Sequence, residues 1–243
     1  MRLKMLLETT KDAFIPWSYR SDLTRLIYRL IGLSDRNYAS WLHDEGYEKG
    51  GKVYRLFVYS DLQFPPREVS SIGLKGKGCI VWQLGSPDER FIKAVADGVK
   101  LQGNKLDIFG STFDVLDILQ TQLPKTKENP TFRTISPVVV SIQEGKGTTP
   151  TYLNPEDQRF TQALERNLLS KWEAYNKKSI EVGNFGIRTW EPKSKLIPTF
   201  NIKVRAWNLK LQMWGSDELM RFAYDAGLGE RNSQGFGMIE LEG

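Results

Sequence analysis

An α+β protein of two tandem ferredoxin-like (βαββαβ) units is what the sequence predicts, and three observations predict it. The first half reads strand, helix, strand, strand, helix, strand, which is the ferredoxin-like order. A polar stretch bracketed by prolines follows, Leu123-Pro124-Lys125-Thr126-Lys127-Glu128-Asn129-Pro130. After it the same order starts again. The expected division is therefore residues 1–123 and 124–243, and with no clear residue-level repeat between the halves the duplication is architectural.

Residues 2–8 alternate as a strand with Leu3, Met5 and Leu7 on one face. Residues 9–17 read as a loop. Ser21-Asp22 opens a helix in which Leu23, Leu26, Ile27, Leu30 and Ile31 recur at helical spacing and form core, and Gly32 stops it. Tyr28 lies at the edge of that stripe, so its ring can pack while its hydroxyl reaches out. A second short helix runs from Ser34 or Asp35 to Leu42, with His43 at its end. Residues 44–51 are glycine- and charge-rich and read as a mobile loop; residues 52–60 read as a strand. Residues 65–78 form an insertion with a basic end at Lys75 and Lys77, and 79–84 is a strand. Ser86-Pro87-Asp88-Glu89 has the form of an N-cap, a first-turn proline and a capping-box glutamate before Phe91, Ile92, Val95 and Val99. Strands over 106–108 and 113–119 close the first half.

The second half continues with a strand over 135–142 and a helix from Asn154-Pro155 through Phe160, Leu164 and Leu168. The sheet resumes near 181–187. A long strand over 202–213 is apolar on even positions at Ile202, Val204 and Ala206 and on odd ones at Trp207, Leu209, Leu211 and Met213. Its buried face must switch near Ala206-Trp207, at a bulge or where the strand passes between environments. Lys203 and Arg205 share a face there and suit a phosphate track. A helix from Ser216-Asp217-Glu218 to about Ala226 and a strand at Met238-Ile239-Glu240-Leu241 enclose Gly227-Leu228-Gly229-Glu230-Arg231-Asn232-Ser233-Gln234-Gly235-Phe236-Gly237. Four glycines in these eleven residues mark a loop whose main chain is its working surface. Its spacing is neither that of a P-loop nor that of a dinucleotide loop. An anion there would meet a helix C-terminus, so loop N–H groups and Arg231 would have to hold it. Trp207 and Phe236 are expected in the core.

A net charge of +5 and a pI near 9.1 favour a polyanionic partner. Cys79 is the single cysteine and is expected to be buried, which excludes an internal disulfide and points to a cytoplasmic protein. No apolar run reaches membrane-spanning length. One histidine and one cysteine cannot build the usual zinc site. Asp114 and Asp117, at odd spacing in a strand, are expected on opposite faces. Neither a metal nor another cofactor is expected.

The pattern Gly-apolar-Gly, five residues, Gly-apolar-Gly resembles the C-terminal signature of the CRISPR repeat-processing endoribonucleases of the RAMP (repeat-associated mysterious protein) superfamily. Ser136-Pro137-Val138, Tyr152-Leu153-Asn154-Pro155, the run from Gly215 to Gly237 and the N-terminal run through Tyr28 and Trp41-Leu42-His43 extend the likeness over most of the chain. The resemblance implies tandem ferredoxin-like, RRM-like domains and metal-independent cleavage of precursor CRISPR RNA within its repeats. It implies an active site of a tyrosine, a histidine and a lysine; Tyr28 and His43 match, and Lys49 and Lys52 both lie in range, Lys52 being preferred because it abuts a strand. Such cleavage needs no metal, since the 2′-hydroxyl attacks its own phosphate and the protein supplies geometry, proton transfer and charge stabilisation. With one imidazole, slow, single-turnover cutting with retention of the product is expected. Recognition would fall to Gly227, Gly229, Arg231, Asn232, Ser233, Gln234, Gly235 and Gly237, with Lys203 and Arg205. The expected partner is CRISPR repeat RNA, precursor and processed, and no membrane. Three points stay open: a CRISPR effector complex as a further partner, a homodimer, and the alternative of a non-cleaving subunit that holds a guide RNA.

Overall fold

Strand β1 (Arg2–Pro16) buries Leu3, Met5 and Leu7 as the alternation requires, but it does not end at Glu8. Where a loop was expected, three residues bulge out between the Thr9–Gly78 and Ala13–Gly76 pairs, and Ala13 and Ile15 then return to the core. The bulge takes up Lys11 and Asp12 without ending the strand. The computed structural model describes every residue except 127, 144, 146–148, 182, 201 and 243. Lys127 of the proline-bracketed stretch and Val182 of the strand expected near 181–187 lie outside the described residues.

Helix α1 (Arg20–Ser34) buries its whole apolar stripe. Helix α2 (Arg36–Asp44) is capped by Asp35, whose carboxylate accepts from the Tyr38 N–H. The expected loop after it is a hairpin of β2 (Tyr47–Lys49) and β3 (Lys52–Tyr54), with Gly50 and Gly51 both at positive φ in its turn. That conformation matches the twist of the flanking strands and suits glycine. The strand expected over 52–60 is thus divided: its start pairs with β2, and β4 (Val58–Tyr59) pairs with β6 (Gly73–Gly85). The expected insertion is largely the hairpin of β5 (Glu68–Val69) with β6. Cys79 is exposed, not buried, because it alternates with Ile80 and faces outward. Helix α3 (Glu89–Leu101) is capped by Asp88 rather than Ser86; the Ser86 hydroxyl donates to the Leu56 carbonyl.

Strands β7 (Lys105–Ile108) and β8 (Ser111–Thr121) complete an antiparallel sheet ordered β4-β6-β1-β8-β7. Leu6 pairs with Asp117 and Leu7 with Val115, so Leu116 is a bulge. Asp114 and Asp117 therefore stand opposite Glu8 and Leu6, on one face and not on two.

In the second half β9 (Thr131–Thr134) is followed by the short hairpin of β10 (Ser141–Ile142) and β11 (Thr151–Tyr152). The continuous strand expected over 135–142 is absent because Pro137 cannot donate to a ladder; Val138 makes an isolated bridge to Trp207. Helix α4 (Arg159–Asn176) starts later than expected, after a turn in which Asp157 accepts from the Arg159 N–H. The sheet resumes at β12 (Gly186–Thr199), later than the 181–187 expected, and continues through β13 (Ile202–Trp214). With α5 (Asp217–Ala226) and β14 (Ile239–Leu241) it gives a second antiparallel sheet, β12-β13-β9-β14. Burial along β13 switches face as predicted. Val204 and Ala206 pack with Phe236, whereas Leu209, Leu211 and Met213 join the larger core under α4 and α5. The extra residue lies in β12, between Trp190 and Lys193. Phe236 is buried as expected; Trp207 is only half-buried and donates from its indole to the Leu153 carbonyl. Among the described residues no helix is long and apolar enough to cross a membrane.

The glycine-rich loop joins the halves. Arg20, 4% exposed, donates from Nε to the Gly235 carbonyl at 3.2 Å and pairs with Asp61. Thr24 donates to the Ser233 carbonyl at 3.1 Å and shares a 2.7 Å contact with the Tyr59 hydroxyl. The loop is thereby seated on α1 one turn before Tyr28.

Candidate functional site

Tyr28 is half-buried on α1, with its ring edge-on to Phe57 at 5.8 Å and to His43 at 5.4 Å between centroids. His43 occupies the last turn of α2 with 69% of its side chain exposed, and its Nδ1 lies 2.7 Å from the Asp44 carboxylate. An Nδ1–H donated to Asp44 leaves Nε2 as the acceptor of the ring. Burial pushes the Tyr28 hydroxyl up to about 12, against an opposing pull from Arg55 acting through charge and a hydrogen bond. The phenol therefore stays protonated throughout the neutral range and serves as a donor.

Three cations follow this pair in the chain, and of them Arg55 touches it. Lys49 and Lys52 face each other across the end of the β2–β3 hairpin. Lys49 is held by Glu173 of α4 at 3.0 Å, while Lys52 is exposed and has no ion pair among the described residues. Arg55 is half-buried, donates to the His43 carbonyl and lines a cleft of ≈ 470 Å³. Lys52, Arg55, Ser141, Lys171 and loop residues 229–233 also border that cleft. Sequence reasoning missed Arg55, and nothing in Tyr54-Arg55-Leu56 sets it apart.

The loop is built inward. Gly227, Gly229, Gly235 and Gly237 are all buried, and a Cβ on Gly235, at φ +83°, would come within 2.8 Å of the Tyr59 ring atom Cζ. Asn232 is 7% exposed and spends its amide on the Leu228 and Phe236 carbonyls, each at 3.0 Å. Beneath it Lys171, 2% exposed, donates to the Gly227 carbonyl at 2.6 Å, to Asn232 Oδ1 at 2.9 Å and to the Gly229 carbonyl at 3.2 Å. Desolvation pushes the Lys171 ammonium down to about 7, with Glu230 acting in the opposite sense. The sequence did hold a signal for this residue: two turns after Leu164 and one after Leu168 on the buried face of α4, a lysine is out of place. Arg231, Ser233 and Gln234 are half-exposed, and Arg231 reaches Gln234 at 3.2 Å.

Lys203 and Arg205 are not brought to this cleft. Lys203 lines a second one, of ≈ 790 Å³, with Trp17, Arg20 and Lys195, and Arg205 is exposed with its guanidinium 3.0 Å from Ser194. Arg20 borders the second cleft while holding Gly235 of the loop whose residues 229–233 border the first. Among the described residues no three His, Cys, Asp or Glu side chains converge on a point that could hold a metal ion.

Fold and site define an α+β protein with the Cas6 fold. Residues 120–241 match the family described as CRISPR associated protein Cas6, C-terminal. Over 98% of its length the chain is 31% identical to CRISPR-associated endoribonuclease Cas6 1 of Methanocaldococcus jannaschii, covering 92% of that relative. It is 28% identical over 99% of its length to CRISPR-associated endoribonuclease Cas6 of Pyrococcus furiosus, covering 89% of it. A solved structure described as CRISPR associated protein Cas6 superposes with a TM-score of 0.80 at 28% identity, covering 100% of this chain and 99% of that one. The fold is shared also with a RAMP protein described as binding different RNA substrates, at a TM-score of 0.84 and 21% identity, with 100% of both chains covered. The chain belongs to the Cas6 family of CRISPR-associated endoribonucleases, RAMP proteins of CRISPR RNA processing.

Proposed function

We propose that the protein is a metal-independent endoribonuclease that cuts precursor CRISPR RNA within its repeats and retains the product. The observation that carries this reading is the Tyr28–His43 pair, two proton-bearing rings 5.4 Å apart with the imidazole open to solvent. The names of the relatives support it, and so does the RNA binding ascribed to the RAMP protein of similar fold. The 2′-hydroxyl oxygen bonds to the adjacent phosphorus as its proton passes to His43 Nε2. The bond from phosphorus to the 5′-oxygen breaks as that oxygen takes a proton from Tyr28. The imidazolium then returns its proton to Tyr28, leaving a 2′,3′-cyclic phosphate and a 5′-hydroxyl, with no water consumed. Positive charge comes from the β2–β3 hairpin. Lys52 is freer to supply it than Lys49, which Glu173 holds.

Recognition belongs to the outer side of the loop, where Arg231, Ser233 and Gln234 offer donors to phosphates and base edges. Asn232 contributes by shaping the loop, and the buried glycines by letting it pack. Lys203 and Arg205 serve an RNA segment that has passed beyond the loop. The two sheets are tandem ferredoxin-like, RRM-like domains divided at 123/124; in each, the four principal strands run second, third, first, fourth, which supports that reading. A cytoplasmic location goes with an RNA substrate of this kind.

The test is cleavage of repeat RNA in EDTA by wild type and by His43→Ala, with a substrate carrying one 2′-deoxy nucleotide before the cut. A single cut that survives EDTA, slows by about 100-fold or more with the substitution and vanishes with the deoxy substrate is expected. Binding without cleavage would identify a guide-holding subunit instead. Cleavage indifferent to His43 would place the chemistry elsewhere.

A further inference from the structure

We infer that Arg55 is a further catalytic residue, whose guanidinium binds the non-bridging oxygens of the phosphate under attack. The inference rests on the Tyr28–His43 reading and adds to it a group that neither the sequence pattern nor the family likeness singled out.

Three observations place Arg55 there. Its guanidinium donates to the carbonyl of His43, at the end of the helix that presents the imidazole. Its charge acts on the Tyr28 hydroxyl against the upward push of burial. It also lines the cleft bounded by Lys52 and loop residues 229–233, whereas neither Tyr28 nor His43 does. Arg55 therefore links the proton-transfer pair to the cleft through which a backbone held by the loop would run.

Position and chemistry agree. A group that stabilises charge developing on a phosphorane works best when it is already oriented, since nothing then reorganises as the reaction proceeds. Lys49 is tied to Glu173, and Lys52 is a solvated amine at a hairpin end. Arg55 is half-buried and anchored by a backbone carbonyl, and its planar fork keeps N–H donors for two oxygens of one phosphate. The same charge has a second use. A cation beside the Tyr28 hydroxyl stabilises the phenolate that forms when Tyr28 gives its proton to the departing 5′-oxygen.

Arg55→Ala and Arg55→Lys are to be compared with wild type and His43→Ala in single-turnover cleavage of repeat RNA. Affinity is read separately with the 2′-deoxy substrate, and the cleavage assay is repeated with sulfur in place of each non-bridging oxygen at the cut. Arg55→Ala is expected to slow cleavage about 100-fold. Affinity should stay within about threefold and the sulfur effect should largely disappear, while Arg55→Lys recovers about tenfold or more of the lost rate. If Arg55→Ala cuts within about fivefold of wild type while His43→Ala is slow, the role given to Arg55 is wrong and the proton-transfer pair stands. Equal losses in both variants with the sulfur effect intact would make Arg55 a prop for α2 and overturn its catalytic role. If wild type does not cut, or His43→Ala is harmless, the underlying reading falls and Arg55 with it.

Discussion

Replacing Lys171 with methionine removes the donor beneath the glycine-rich loop at nearly constant side-chain length. The Gly227 and Gly229 carbonyls and Asn232 Oδ1 lose the ammonium they share, at 2.6, 3.2 and 2.9 Å. A buried acceptor left without its donor costs about 1–3 kcal/mol. Three of them would sum to about 3–9 kcal/mol, but relief of the ammonium's own desolvation offsets part of this. A net loss of about 3 kcal/mol lowers the melting temperature by about 6–12 °C in a protein of this size. Asn232→Leu alone should also destabilise; the double variant should lose less than the sum, because removing both partners leaves fewer orphaned groups. The same lysine sets a pH dependence. Its folded pKa of about 7 lies below the ordinary 10.5, so between those values the native state binds fewer protons than the unfolded chain. Stability from this group therefore rises with pH through that window and is lost as pH falls toward 7. Urea melts of both proteins at pH 7 and pH 10, with amide exchange of residues 227–237, measure all of it. A Lys171→Met protein that melts within about 2 °C of wild type with unchanged exchange in the loop would refute the role assigned to the lysine.

Three further outcomes are expected. Gly235→Ala places a Cβ against the Tyr59 ring in a backbone conformation that L-residues rarely adopt; it should cost about 2–4 kcal/mol in a denaturant melt and weaken RNA binding by loosening the loop from α1. Tyr28→Phe should slow cleavage while leaving the shape of the pH–rate profile unchanged between pH 6 and 9, because burial holds the Tyr28 hydroxyl at about 12; a break in that range that vanishes with the substitution would contradict this. Asp88→Asn takes a carboxylate from the hydroxyls of Tyr38 and Tyr47 at the N-cap of α3, so it should destabilise by about 1–3 kcal/mol in a thermal melt and lower kcat more than affinity, since α2 and the hairpin both hang on it.

Sequence periodicity served well where one face of an element meets one core. The stripe of α1, the apolar run of α3 and the alternation at Leu3, Met5 and Leu7 all bury as their spacing dictates. It failed where an extra residue resets the period, as at Leu116, which put Asp114 and Asp117 on one face. The β2–β3 hairpin escaped notice because Lys49-Gly50-Gly51-Lys52 carries turn chemistry between strands too short and too polar to show alternation. At the site, Tyr28 and His43 were visible as residue types in context. Arg55 was not, since its role comes only from how it packs against α1 and α2; Lys171 showed as a lysine out of place on an apolar helix face, but its partner, a loop 56–61 residues further on, did not.

The seat of that loop on α1 also bears on how the chain folds. Arg20 and Gly235 are 215 residues apart, and Thr24 and Ser233 are 209 apart. Closure over such spans is entropically slow and gains little until both sheets exist, so these contacts are expected to form after the main folding barrier. Contacts absent from a transition state govern unfolding rather than folding. Substitutions at Arg20, Thr24 or Gly235 should therefore leave the refolding rate nearly unchanged and shorten the lifetime of the native state, which makes the seat a determinant of how long the protein persists once folded.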